Sequence, residues 1–197
     1  YSEFYAAQVA EAMGIPHVTY GLSKWKGQLC STCELFTSKD ISFIPASTLI
    51  STSKISRIID WFDDHGWKND LADMLVLDAI IRNTDRHLGN FGFLVDNHTN
   101  QLLRPAPIFD NGLSLYCYVM DNDLNNLSEQ EKTLTPALYA DFDEVALHVI
   151  GQKQKQELRH LLTFKFKKHS RYNLSDERIK MLESAIQGKV RYLLESA

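Results

Sequence analysis

Hydrophobic positions recur along this chain with two periods, and the points where one gives way to the other mark its elements. SEFYAAQVAEAMG reads as a helix over about residues 2–13. Phe4, Ala7, Val9 and Ala10 form its apolar stripe, Ser2 is placed to cap it, and Gly14 with Pro16 to stop it. HVTYGLSKW (17–25) and QLCSTCELF (28–36) alternate as strands do and meet at Lys26-Gly27, a hairpin signal. SKDISFIPAS (38–47) reads as a connection. Helices are expected over 50–66 and 70–83, and the second, DLADMLVLDAIIRN, is apolar nearly all round and therefore buried. FGFLV (91–95) and QLLR (101–104) predict a second hairpin about the polar turn DNHTN. Residues 118–143 are weakly patterned and read as loop. Helices follow over about 143–150, 153–166 and 175–195, the last starting behind Ser175-Asp176-Glu177. This order suits an α+β protein with a mostly helical body.

Composition narrows the class. A hydrophobic share of 44% in 197 residues is enough for a real core, and no apolar run approaches the roughly 18–20 residues of a membrane span. Three cysteines (Cys30, Cys33, Cys117) make a poor disulfide framework, so a reducing cytoplasm is expected. The pair Cys30 and Cys33 lies inside a strand without two further zinc ligands at suitable spacing, and reads as strand packing or surface. The net charge of −4 hides an asymmetry: residues 151–197 carry eleven Lys/Arg against five Asp/Glu, which leaves −10 on the first 150. The basic run KFKKHSR (165–171) could meet phosphate or nucleic acid. No nucleic-acid motif accompanies it, so it is expected to be a solvated helix end complementing the dipole, with no direct nucleic-acid binding. The seven Asp/Glu against one Lys of 118–144 read as a solvated loop, or as a docking region for a basic peptide.

The chemistry is concentrated at 83–112. The buried helix delivers NTDRHLGN (83–90) as a loop. The hairpin that follows runs about 17 Å out and the same back, at ~3.3 Å per residue, which returns PAPIFD to where it began. Asn90 and Asp110 can then face one small volume, with Asp85 at its edge. Magnesium asks for hard oxygen ligands and few protein ones, since phosphate and water supply the rest. An Asn amide and an Asp carboxylate meet that need, and a separate carboxylate kept off the metal can orient the proton of an attacking hydroxyl. Asp85, Asn90 five residues later and Asp110-Asn111-Gly112 after a hairpin have the spacing used in kinase phosphoryl transfer. The plainer alternative is that Asp85 and Arg86 cap a helix end while Asp110 makes an Asx-turn. His87 could position the γ-phosphate or merely hold the loop by a hydrogen bond. Asn83 reads as a brace, and Trp25, Trp61, Trp67, Phe91 and Phe93 as packing residues.

At these residues the chain resembles the HipA-type serine/threonine kinases, bacterial toxins with a protein-kinase-like catalytic half. N83-T-D85-R-H87-L-G-N90 is similar to the catalytic loop of that family, and P105-A-P-I-F-D110 to its metal-binding segment. The resemblance implies Asp85 as catalytic base, with His87 beside it, and Asn90 and Asp110 as ligands of Mg2+. It also implies ATP as phosphoryl donor, Glu34, Leu35 and Phe36 at the adenine-binding hinge, and a protein substrate or antitoxin-like partner. Glu3 stands where the glutamate that pairs with a strand lysine would be, although it also reads as a first-turn acid favoured by the helix dipole. The implied architecture is a remainder of the kinase N-lobe over 1–40 and a helical C-lobe over 41–197. Asp-Arg-His with Asn three residues on is also the loop of phosphoinositide kinases, so a lipid or small-molecule kinase is the first rival and a non-catalytic partner-binding module the second. The chain starts at Tyr in mid-pattern and reads as a fragment. Its 197 residues contain no glycine-rich phosphate loop, so it is expected to hold Mg-ATP weakly.

Overall fold

A computed structural model describes the backbone of all 197 residues and every side chain except those of Asn122, Leu124, Asn125 and Ser128. Helix α1 (Ser2–Met13) buries Tyr5, Ala6, Val9, Ala10 and Met13 and ends at Gly14, whose φ of 76° only glycine adopts without strain. Ser2 is not its cap: Tyr1 holds that position and no side chain caps the helix. Strands β1 (Tyr20–Trp25) and β2 (Gln28–Cys33) form an antiparallel hairpin with Trp25 opposite Gln28. Lys26 and Gly27 both have positive φ, as a two-residue turn matched to strand twist requires.

Residues 38–47, expected as a connection, contain strand β3 (Ile41–Pro45). It pairs with β4 (Gly92–Asp96), which in turn pairs with β5 (Leu102–Pro105), giving a three-stranded antiparallel sheet in the order β3-β4-β5. The partner of β3 lies some fifty residues away (Ile41 opposite Asp96), so no local signal announces it. Helix α2 (Ile55–Asp64) starts later than expected because a 3-10 turn at Ala46–Thr48 and a short irregular stretch precede it. Helix α3 (Lys68–Ile81) buries every residue from Leu71 to Ile81. It is the axis of the body, packing against α1 and α2 and against three later helices, α5 (Phe142–Val149), α6 (Gln152–Arg159) and α7 (Asp176–Ser196). Trp61 and Trp67 pack on Phe93, with ring centroids 4.8 and 5.4 Å away, and so fix β4 to the α2–α3 corner.

Two further expectations are corrected. The acidic stretch is not all loop: a 3-10 turn (Asp121–Asn126) leads into α4 (Leu127–Glu131). The helix expected over 153–166 stops at Arg159, and the basic run 165–171 is not a helix end. Phe164 and Phe166 are buried and Lys165 and Lys167 exposed, a period of two that belongs to extended chain. The lysines there meet acids: Lys165 reaches Glu183 at 2.7 Å and Lys167 lies 3.9 Å from Glu11. Ser175 does cap α7, accepting from the Arg178 N–H at 3.2 Å.

Candidate active site

The loop after α3 is held by its own side chains. Asn83 donates to the Asp78 carboxylate at 3.2 Å, and its oxygen accepts from the Asp85 N–H at 3.2 Å. It is the brace its position suggested. The Asn90 Nδ2 donates to the Asp85 carbonyl at 3.0 Å, which closes the five-residue interval. The Thr84 N–H and hydroxyl both donate to the Leu113 carbonyl at 3.1 Å, joining this loop to the segment beyond Asp110.

The β4–β5 hairpin returns the second half of the site. Ile108 donates to the Pro16 carbonyl at 3.0 Å and accepts from the Val18 N–H at 2.9 Å, so the segment pairs with the approach to β1. Asp110 then takes a left-handed conformation (φ 56°), and its N–H lies 3.4 Å from the Tyr20 hydroxyl. Asn111 N–H donates to the Glu3 Oε2 at 2.9 Å, so α1 touches the segment that carries Asp110 directly. Burial pushes the Glu3 carboxyl above its ordinary value; the Asn111 N–H opposes this, and the Asp110 charge adds to it. Burial, reinforced by Glu3, pushes the Tyr20 hydroxyl up to about 12.

One residue links these parts. Arg86 is fully buried, and its guanidinium donates to both oxygens of Asp78 at 2.9 Å, to the carbonyls of Asn90 (2.9 Å) and Phe109 (2.7 Å), and to the Asn111 side chain (2.7 Å). Burial alone would lower its affinity for its proton, but the Asp78 carboxylate outweighs that and raises it. Sequence reasoning passed over Arg86, Asp78 and Asn111 as functional parts. The available signal was Asp78, a carboxylate inside the apolar run LVLDAII, which cannot be buried without a partner.

The structure brings Asp85, Asn90 and Asp110 into one neighbourhood. Among the described residues, no hydrogen bond engages the Asp85 carboxylate, the Asp110 carboxylate or the Asn90 Oδ1. Asn90 donates one amide hydrogen to the Asp85 carbonyl, and its oxygen is left as a free hard donor. Among the described residues, no three His, Cys, Asp or Glu side chains are grouped to hold a metal on their own. An Asn–Asp pair therefore suits an ion that takes most of its ligands from phosphate and water. His87 is exposed, and its Nδ1 accepts from the Gly89 N–H at 3.0 Å, a contact that shapes the loop. Glu34 and Leu35 follow β2 and are exposed. With Phe36, Gly21, Thr32 and Pro107 they line a cavity of about 650 Å3. Phe36 packs on Phe109 with centroids 5.4 Å apart, so this cavity adjoins the residue before Asp110.

No protein-family model matches the chain. It is 26% identical over 132 residues to the serine/threonine-protein kinase CtkA of Helicobacter pylori, a match that takes in 59% of this chain and 40% of that protein's length. The crystal structure of the proinflammatory kinase CtkA of Helicobacter pylori superposes with a TM-score of 0.74 at 19% identity, over 99% of this chain and 80% of that one. HipA of Shewanella oneidensis, solved with HipB and its operator DNA, gives a TM-score of 0.51 at 10% identity, over all of this chain and 57% of its own. Both superpositions span essentially the whole chain, and the chain has the HipA-type kinase-like fold.

Proposed function

We propose that this protein transfers the γ-phosphoryl group of ATP to a serine or threonine hydroxyl of a protein. The observation that carries this reading is the Asp85–Asn90 loop locked beside Asp110 with its acceptor oxygens free, in a fold shared with kinases. Asp85 accepts the proton of the attacking hydroxyl. Asn90 Oδ1 and the Asp110 carboxylate hold Mg2+, which when bound neutralises charge on the transferring phosphoryl group. The cavity at Glu34, Leu35 and Phe36 takes the adenine, with residues 1–40 as the N-lobe side of the cleft and 41–197 as the C-lobe. Glu3 offers its remaining carboxylate oxygen to a cation near the phosphates. His87 stands at the mouth of the loop, where an imidazole can meet the γ-phosphate. A protein acceptor follows the CtkA match, and an antitoxin-like protein partner follows HipA, which was solved with HipB. We place the activity in a reducing cytoplasm, in keeping with three free cysteines.

Asp85→Asn and Asp110→Asn separate the two roles. Asp85→Asn should lower phosphoryl transfer roughly 10²- to 10⁴-fold while leaving Mg-ATP affinity within a few-fold, because a base acts chiefly in the transition state. Asp110→Asn should weaken magnesium-dependent nucleotide binding itself. Protein-detected NMR titration reads even weak affinities, and equal loss of affinity in both variants would contradict the assignment.

A further inference from the structure

We infer that Arg86 is the positioning residue that fixes the spacing between Asn90 and Asp110. The inference rests on the kinase reading above and names the device that makes its metal site. A guanidinium has five N–H donors in a rigid plane, and all five of Arg86 are used. Two go to Asp78 at 2.9 Å, one to the Asn90 carbonyl at 2.9 Å, one to the Phe109 carbonyl at 2.7 Å and one to the Asn111 Oδ1 at 2.7 Å. The anchor is α3, the most buried helix of the body, through Asp78, which is itself fully buried. The two carbonyls belong to Asn90 and to the residue before Asp110, so one planar group grips the backbone at both proposed metal ligands. Asp110 gains from such a grip, because even for aspartate the left-handed backbone is less favoured than the right-handed one.

A lysine keeps the charge and loses the fork. It can satisfy Asp78 but cannot reach three further acceptors in one plane. Asn111→Ala removes a single arm and leaves the buried ion pair whole, so it is the milder test of the clamp. If Arg86 sets spacing, both variants should need more Mg2+ to reach half-maximal ATP binding, by about tenfold for Arg86→Lys and about threefold for Asn111→Ala. Nucleotide affinity without metal should be unchanged, which a merely structural role would not single out.

Hydrogen–deuterium exchange supplies a readout independent of nucleotide. In Arg86→Lys the amides of 88–91 and of 109–113 should both exchange faster, with those of α7 unchanged. Faster exchange in one segment alone, or a uniform rise across the body, would overturn the clamp. Wild-type Mg2+ dependence in both variants would overturn its role in spacing the ligands. If the unaltered protein showed coupled exchange but no Mg-dependent ATP binding at all, the kinase reading would fall, and Arg86 would be left as a structural clamp without the positioning role.

Discussion

Asp110 shows how a single position can separate backbone from chemistry. Its φ of 56° lies in the left-handed region, which asparagine and aspartate visit more readily than other residues with a Cβ. Asp110→Asn should therefore leave stability within about 0.5 kcal/mol, and any loss of metal-dependent binding reports the missing charge. Asp110→Ala carries the full left-handed penalty and should cost about 1 kcal/mol in urea unfolding. Glu3 makes a pH prediction. Its carboxyl is raised in the folded protein, so the folded state holds that proton more tightly than the unfolded chain does. The stability this group contributes is complete below its ordinary value of 4.5 and falls as pH climbs through the raised one. Glu3→Gln keeps an oxygen for the Asn111 N–H, and should flatten that decline and raise the melting temperature near neutral pH. The proximity of Asp85, Asn90 and Asp110 was legible in the sequence because a loop spacing and one hairpin relate them. Arg86 was not, since its partners come from positions 78, 90, 109 and 111 and only the folded chain assembles them.

Among the elements, β3 is the one that depends most on distant chain. Gly92 lies opposite Pro45, and a Cβ there would stand 2.1 Å from the Ile44 carbonyl oxygen, a backbone atom that cannot step aside. Gly92→Ala should cost about 3 kcal/mol and free β3, visible as faster hydrogen exchange over 41–44. Helix α4 is held differently, by charge. Arg82 pairs with Glu131 and with Asp143 (2.9 Å), and Lys189 lies 2.9 Å from Glu131 and 2.7 Å from Asp143. Burial alone would push both carboxyls up, but the hydrogen bonds and charges of Lys189 and Arg82 outweigh it and hold both below the usual range. This contribution is present above the ordinary carboxylate values and is lost as pH falls through the depressed ones. Lys189→Met should cost roughly 1–2 kcal/mol near neutral pH and weaken that acid dependence, a smaller effect than breaking a fully buried pair. Helices with a strong period and hairpins with local turns could be read from sequence to within a few residues. Helix α4 could not, because what stabilises it lies at positions 82 and 189. The overlong reading of α6 came from missing the change of period at Phe164 and Phe166.

For the whole molecule, the α+β class and the helical body followed from the order of periodic segments, whereas the three-stranded sheet followed from a pairing across about a quarter of the chain. The nine glycines are spread so that no two are nearer than three positions, and the 197 residues thus offer no glycine-rich wrap for a triphosphate. Backbone donors of that kind carry much of the positioning in phosphoryl transfer. The chain by itself should accordingly bind Mg-ATP weakly and turn it over little. Robust ATP hydrolysis abolished by Asp85→Asn would reveal a phosphate clamp elsewhere in the cleft. The hydrogen bond from Asn111 to Glu3 has a thermodynamic corollary. It couples the position of α1 to the shape of the segment proposed to bind metal. Whatever favours the docked position of α1 must then strengthen metal–nucleotide binding by some factor. Reciprocity requires the metal–nucleotide complex to strengthen the hold of that agent on α1 by the same factor.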